Sequence, residues 1–158
     1  MVFRACDKMR IARWFVTGLG VGYLPRAPGT AGSLLGVILF IPIQSIPRPY
    51  AFLFLTLLFI VSVYTINLSM PFFVRKDPRE IVIDEIWAIL LVLFMVPSSL
   101  VAYFFGFVLF RFFDIAKPIG VREAEHLPGG LGIMADDIIA ALYTLLIIWP
   151  IHYLVALA

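Results

Sequence analysis

Residues 50–70 read YAFLFLTLLFIVSVYTINLSM. The run carries no charge, and its length matches the roughly 20 apolar residues that a helix needs to cross the hydrocarbon core of a bilayer. It predicts a full-length membrane span over Tyr50–Met70. The rest of the chain agrees in character. Of its 158 residues, 63% are hydrophobic and 14% charged, with a mean hydropathy of +1.05. A soluble domain is only about 45–50% apolar.

Working outward, four more apolar runs stand on either side. Ser33–Ile46 is short and reaches spanning length only if it starts near Thr30. Ile86–Val96 and Ser99–Phe110 are shorter still, and Pro97 joins them as a helical hairpin. Ile138–Leu157 closes the series, with Trp149, His152 and Tyr153 placed as an interfacial belt. The expected fold class is all-α, a polytopic membrane helix bundle of about five transmembrane helices. The third and fourth are short, and residues 1–158 form a single integral-membrane domain. The first clear apolar run begins only after Gly32, so no cleavable signal peptide is expected. Arg4, Lys8, Arg10 and Arg13, with Trp14 and Phe15, predict an amphipathic segment lying on the membrane surface.

The basic residues fix an orientation. Residues 1–26, 75–79 and 111–122 contain every Lys and Arg except Arg48. Five spans bring these three segments to one side, and the positive-inside rule makes that side cytoplasmic. The N-terminus and all polar motifs then face the cytoplasm. A net charge of +2, gathered beside apolar runs, suits anionic phospholipid headgroups rather than nucleic acid. The single cysteine, Cys6, excludes an intramolecular disulfide.

Four polar motifs interrupt the apolar pattern. In Gly18–Ser33, GLGVGYLPRAPGTAGS, the glycines permit close backbone approach. Thr30 is placed to cap the next helix, whose positive end can hold phosphate, with Arg26 adding a cation. Small-xxx-small helix packing through Gly18/Gly22 and Gly32/Gly36 reads the same residues equally well. In Ile81–Trp87, IVIDEIW, Asp84 and Glu85 enter an apolar run. Acids at that depth are costly and mark function by default. Their bland alternative is interfacial pairing with Arg75, Lys76 or Arg79.

Arg111, Asp114 and Lys117 recur every third residue before Pro118, along one side of a helix. They read as a metal ligand with two phosphate-holding cations, or as an ion-pair ladder. In Gly129–Ala140, GGLGIMADDIIA, a glycine turn leads to Asp136 and Asp137 at an expected helix start. Capping explains one such acid better than two. Carboxylates from several helices form a hard-oxygen set of the kind that suits magnesium. Of the two histidines, His126 falls in a loop and His152 at the far end, which argues against a histidine nucleophile. Cys6 lacks the arginine spacing of a cysteine phosphatase. There is no DxD motif of the aspartyl-nucleophile kind, and the signature of the lipid phosphatidyltransferases is missing too.

Taken in order, GLGVGYLPRAPGTAGSLLG, IVIDE, FRFFDIAKP and GGLGIMADDIIA resemble the phosphatidylglycerophosphatase A family over roughly residues 18–140. The resemblance implies a magnesium-dependent enzyme of the bacterial inner membrane that converts phosphatidylglycerophosphate to phosphatidylglycerol. It implies catalytic and metal-binding roles for Asp84, Glu85, Asp114, Asp136 and Asp137. Thr30, Ser33, Arg111 and Lys117 belong to the same motifs and, with Arg26, are expected on the substrate. Arg122, Glu123, Glu125 and His126 match nothing distinctive. The expected reaction is phosphomonoester hydrolysis by a metal-activated water at the cytoplasmic face. The competing expectation is a small transporter or ion-binding membrane protein built around the same carboxylates.

Overall fold

A computed structural model describes residues 2–74, 78–118 and 127–157, with side chains from residue 7 onward. The described residues form helices and turns, with no strand among them. Helix α1 (Val2–Val16) leads through a 3-10 turn at Val21–Tyr23 into α2 (Pro28–Ile43). Helix α3 (Arg48–Ser69) ends in a second 3-10 turn at Met70–Phe72. The chain continues as α4 (Ile83–Met95), α5 (Leu100–Ala116) and α6 (Gly130–Leu157).

Each expected span overlaps one of the helices α2 to α6, and the Pro97 turn joins α4 to α5 as the hairpin predicts. Each helix runs longer than its apolar run, and α4 and α5 remain short as expected. Among the described residues only two segments, Arg48–Phe72 and Gly130–Leu157, are long and apolar enough to cross a membrane. In each, just 22% of the most apolar window is buried inside the protein, whereas a soluble core helix would be mostly buried. Helices α2, α4 and α5 have 16, 13 and 17 residues. At 1.5 Å per residue they reach only about 20–26 Å.

Helix α4 is the centre of the bundle and packs against α2, α3, α5 and α6. Ile86, Ala88, Ile89, Leu90, Val92 and Leu93 are all buried. A helix apolar on every side belongs inside a bundle rather than at its edge. Its tightest partner is α2. A Cβ on Gly32 would lie 2.8 Å from Val82 Cβ, and one on Gly36 would run into Ile89 Cγ2 and the Ile86 carbonyl. The small-xxx-small reading therefore holds for Gly32 and Gly36. Trp87 adds a buried hydrogen bond, donating from Nε1 to the Leu55 carbonyl at 2.8 Å and tying α4 to α3. Phe113 and Tyr143 stack at 5.3 Å between α5 and α6.

The two ends of the bundle differ in character. At one end Arg48, opening α3, lies 5.7 Å over the Phe94 ring near the close of α4. The other end receives the start of α4, the end of α5 and the start of α6, which carry the acidic motifs. Between α1 and α2, Gly18, Leu19 and Gly20 all have positive φ. Gly22 then sits directly on the Glu80 carbonyl, where no Cβ fits. Val82 N donates to the Val16 carbonyl at 2.9 Å, so this turn is stitched to the approach of α4.

Candidate functional site

Helix α4 starts in the protein interior. Ile81, Val82 and Ile83 are buried immediately before the acids. Asp84 and Glu85 therefore enter the bundle on the first turn of α4. Asp84 Oδ1 and Glu85 Oε2 are both buried without a hydrogen-bond partner.

Helix α5 brings the second set on its last turns. Arg111 Nη1 lies 2.6 Å from Asp114 Oδ2 and 3.9 Å from Glu85 Oε1. The ladder reading is thus correct for Arg111 and Asp114. Lys117 leaves it: it occupies the C-cap of α5 with φ +44°. Its Nζ sits 3.1 Å from Asp136 Oδ2, so the cation bridges to α6.

Helix α6 carries Asp136 and Asp137, and here the expected boundary is wrong. The helix begins at Gly130, eight residues before the predicted span, and its first turn contains no acid. Both aspartates lie past the reach of capping, which removes that explanation for them. Asp137 is 2% exposed, and neither of its carboxylate oxygens has a partner. The early start is built by Gly129, at φ +62°, and by Asn67 of α3. Asn67 Oδ1 accepts from Gly130 N at 2.8 Å. A Cβ on Gly130 would approach the Val63 carbonyl to 2.6 Å, so the turn lies flat against α3.

Helix α2 supplies the wall opposite. Its N-cap is Ala27 with φ +49°, and Pro28 occupies the first turn. Thr30 is therefore not the cap that the sequence suggests; it lines the cavity from inside the helix. Ser33 is fully buried, away from that lining. Its hydroxyl donates to the Gly29 carbonyl at 2.9 Å and accepts from Arg111 Nη1 at 3.3 Å. Ser33 thus contacts Arg111 from behind and is not among the residues lining the cavity. Gly29 packs directly on Glu85 Oε1 and Arg111 Nη2, where a Cβ has no room. Arg26, expected on the substrate, is exposed and is not part of the wall. Arg79 stands in the lining instead, directly ahead of the IVIDE motif that signals the acids. His126 and Arg122–Glu125 fall outside the described residues.

The result is one cavity of about 350 Å³ lined by Asp84, Glu85, Asp114, Asp136 and Asp137 with Arg79, Arg111 and Lys117. Two trios share it: Asp84, Glu85 and Asp137, and Asp114, Asp136 and Asp137. Within each trio, ligand oxygens lie within 4.8 Å of one another. Asp137 belongs to both. Five carboxylates face three cations, which leaves two formal negative charges, the complement of one divalent ion. Buried carboxylate oxygens without partners are expensive. Oxygen-only donors from three helices fit magnesium, whose demand is for hard ligands.

The phosphatidylglycerophosphatase A family model matches residues 14–152, which takes in every residue of this cavity. The chain is 38% identical over 139 residues to phosphatidylglycerophosphatase A of Haemophilus influenzae, covering 86% of this chain and 85% of that one. To phosphatidylglycerophosphatase A of Escherichia coli it is 31% identical over 147 residues, covering 87% and 84%. A protein of Bacteroides thetaiotaomicron named "Putative phosphatidylinositol-3-phosphatase" is 36% identical over 140 residues, covering 84% and 87%. No solved structure matches the chain. By the family model and these relatives, the chain belongs to the phosphatidylglycerophosphatase A family.

Proposed function

We propose that the chain hydrolyses the terminal phosphomonoester of phosphatidylglycerophosphate, releasing inorganic phosphate and phosphatidylglycerol, with magnesium as cofactor. The observation that carries this reading is the cavity itself. It holds partnerless buried carboxylates whose excess charge suits a divalent cation, beside guanidinium and ammonium groups that suit phosphate. The names of the Haemophilus and Escherichia relatives supply the headgroup. The Bacteroides relative's name points to a phosphoinositide, also a phosphomonoester on a lipid.

Some of Asp84, Glu85, Asp114, Asp136 and Asp137 would hold magnesium, which when bound polarises the phosphate and lowers the pKa of a water. The chain's own groups do the rest. Arg111, seated by Ser33, and Lys117 hold nonbridging phosphate oxygens as charge builds in the transition state. Arg79 is the third cation at the rim. One carboxylate accepts the proton of the attacking water. Water oxygen bonds to phosphorus as the bond to the glycerol oxygen breaks, and that oxygen takes up a proton. A water nucleophile needs no covalent intermediate, so rapid quenching during turnover should leave no labelled phosphate on the protein.

The same reading places the bundle in a bacterial inner membrane, with α3 and α6 crossing. Of the shorter helices α4 packs against both, and α2 and α5 gather around α4, a mismatch in length that local thinning of the bilayer accommodates. The basic segments set the cavity at the cytoplasmic face, where a headgroup enters while its acyl chains stay in lipid. The direct test is a substrate panel in detergent micelles, where no ion gradient exists. Phosphate release should be fastest from phosphatidylglycerophosphate, with phosphatidylglycerol identified as the lipid product. Release from a phosphoinositide at an equal or greater rate would overturn the headgroup assignment. Release from no lipid phosphate would favour a transporter.

A further inference from the structure

A second cavity, of about 260 Å³, opens on α1 and is lined by Arg10, Arg13, Trp14, Thr17 and Tyr23. Residues 10, 13, 14 and 17 recur on one side of a helix, so α1 presents two guanidinium groups and an indole together. Arg13 is held in place. It donates to the Tyr23 hydroxyl and lies 5.3 Å over the Tyr23 ring and 5.7 Å over Phe72.

Neither Arg10 nor Arg13 has a carboxylate partner among the described residues. Two of the three cations of the acidic cavity differ, since Arg111 and Lys117 each meet one. Two guanidiniums gathered in a cavity, one fixed by aromatic rings and neither paired with a carboxylate among the described residues, form half of an anion site. The surroundings say which anion. Trp14 is 61% exposed, and Ile11 and Leu19 on either side are more exposed still. Large apolar side chains around a cationic pocket on a basic helix are the signature of an element lying at a lipid interface.

We propose that this cavity binds the phosphodiester headgroup of an anionic phospholipid that is not itself being hydrolysed. The site lies apart from the five carboxylates and has no acid among its described lining residues, which suits holding a phosphate rather than hydrolysing it. It rests on the membrane placement argued above but not on the reaction. Through the Val82 N to Val16 carbonyl bond, α1 is tied to the approach of the acidic helix α4. A bound headgroup would thus brace the end of the bundle that carries the acidic cavity.

Trp14 is the reporter. The protein is placed in phosphatidylcholine nanodiscs containing phosphatidylglycerol, with brominated acyl chains on one lipid or the other. The part of the fluorescence lost on Trp14→Phe is the signal. Brominated phosphatidylglycerol should quench it several-fold more than brominated phosphatidylcholine at equal mole fraction. The Arg10→Lys/Arg13→Lys variant keeps the charge but loses the planar fork, and should lose most of this preference. Tyr23→Phe, which removes one hydroxyl, should weaken it in part. An undiminished preference in the lysine variant would show plain charge attraction and overturn the site. So would an absence of preference in the unmodified protein, or displacement of the lipid by soluble glycerol 3-phosphate.

Discussion

At the scale of single residues, Asp137 and Ser33 would play different parts in the proposed reaction, one on the metal and the other behind Arg111. Asp137 is buried with both oxygens unpartnered and belongs to both carboxylate trios. Without a cation it burdens the fold by desolvation and by its acidic neighbours. Asp137→Asn should therefore raise the melting temperature in EDTA, by roughly 2–4 °C for each kcal/mol recovered in a chain of this size. Turnover should vanish, as it should in Asp84→Asn. Magnesium should raise the melting temperature of the unmodified protein and leave Asp137→Asn unmoved. Equal magnesium shifts in the two would remove Asp137 from the ligand set. Ser33 acts through Arg111. Ser33→Ala should lower kcat/KM about tenfold, or roughly 1.4 kcal/mol, with the magnesium-induced shift intact. A loss of that shift instead would place Ser33 on the metal. These residues differ in how legible they are. The five acids announce themselves because charge in an apolar run has few bland explanations. Ser33 looks like any small residue in a glycine-rich helix, and its role depends on a partner 78 positions away.

At the scale of elements, the start of α6 decides where two of the acids point. Apolar periodicity places that start at Ile138, since Asp136 and Asp137 resemble a helix cap. The chain instead begins the helix at Gly130, because Gly129 takes a positive φ and Asn67 satisfies the first free amide. That contact spans two helices distant in sequence, and no local pattern encodes it. Asn67→Ala should cost about 1 kcal/mol, the typical value of a lost N-cap. It should also reduce turnover by loosening the α6 carboxylates, read as a lower melting temperature together with a lower kcat. Gly32 and Gly36 marked a packing face on α2 in the sequence, but not that α4 is what covers it. Gly36→Val should destabilise by about 1–3 kcal/mol through overpacking, measured by thermal unfolding in detergent. A neutral result would show that the helices close less tightly than the contact between Gly36 and Ile89 requires.

At the scale of the whole molecule, an apolar bundle gathers its charge at one end. Composition and run lengths carried the all-helical class and the order of the helices. They did not settle how many helices cross a membrane, because α2, α4 and α5 are apolar through packing on one another as well as through any contact with lipid. The cavity draws its wall from α2 and the stretch before α4, and its carboxylates from α4, α5 and α6. A divalent ion would tie α4, α5 and α6 together, and the central claim is that such an ion turns the charge cluster into a phosphatase. The most direct measurement is phosphate release from phosphatidylglycerophosphate by purified protein in detergent, first stripped with EDTA and then titrated with magnesium. The account predicts no release after stripping, full recovery with magnesium, and none at any magnesium concentration for Asp137→Asn. Undiminished release from the stripped protein, or normal release by Asp137→Asn, would contradict it.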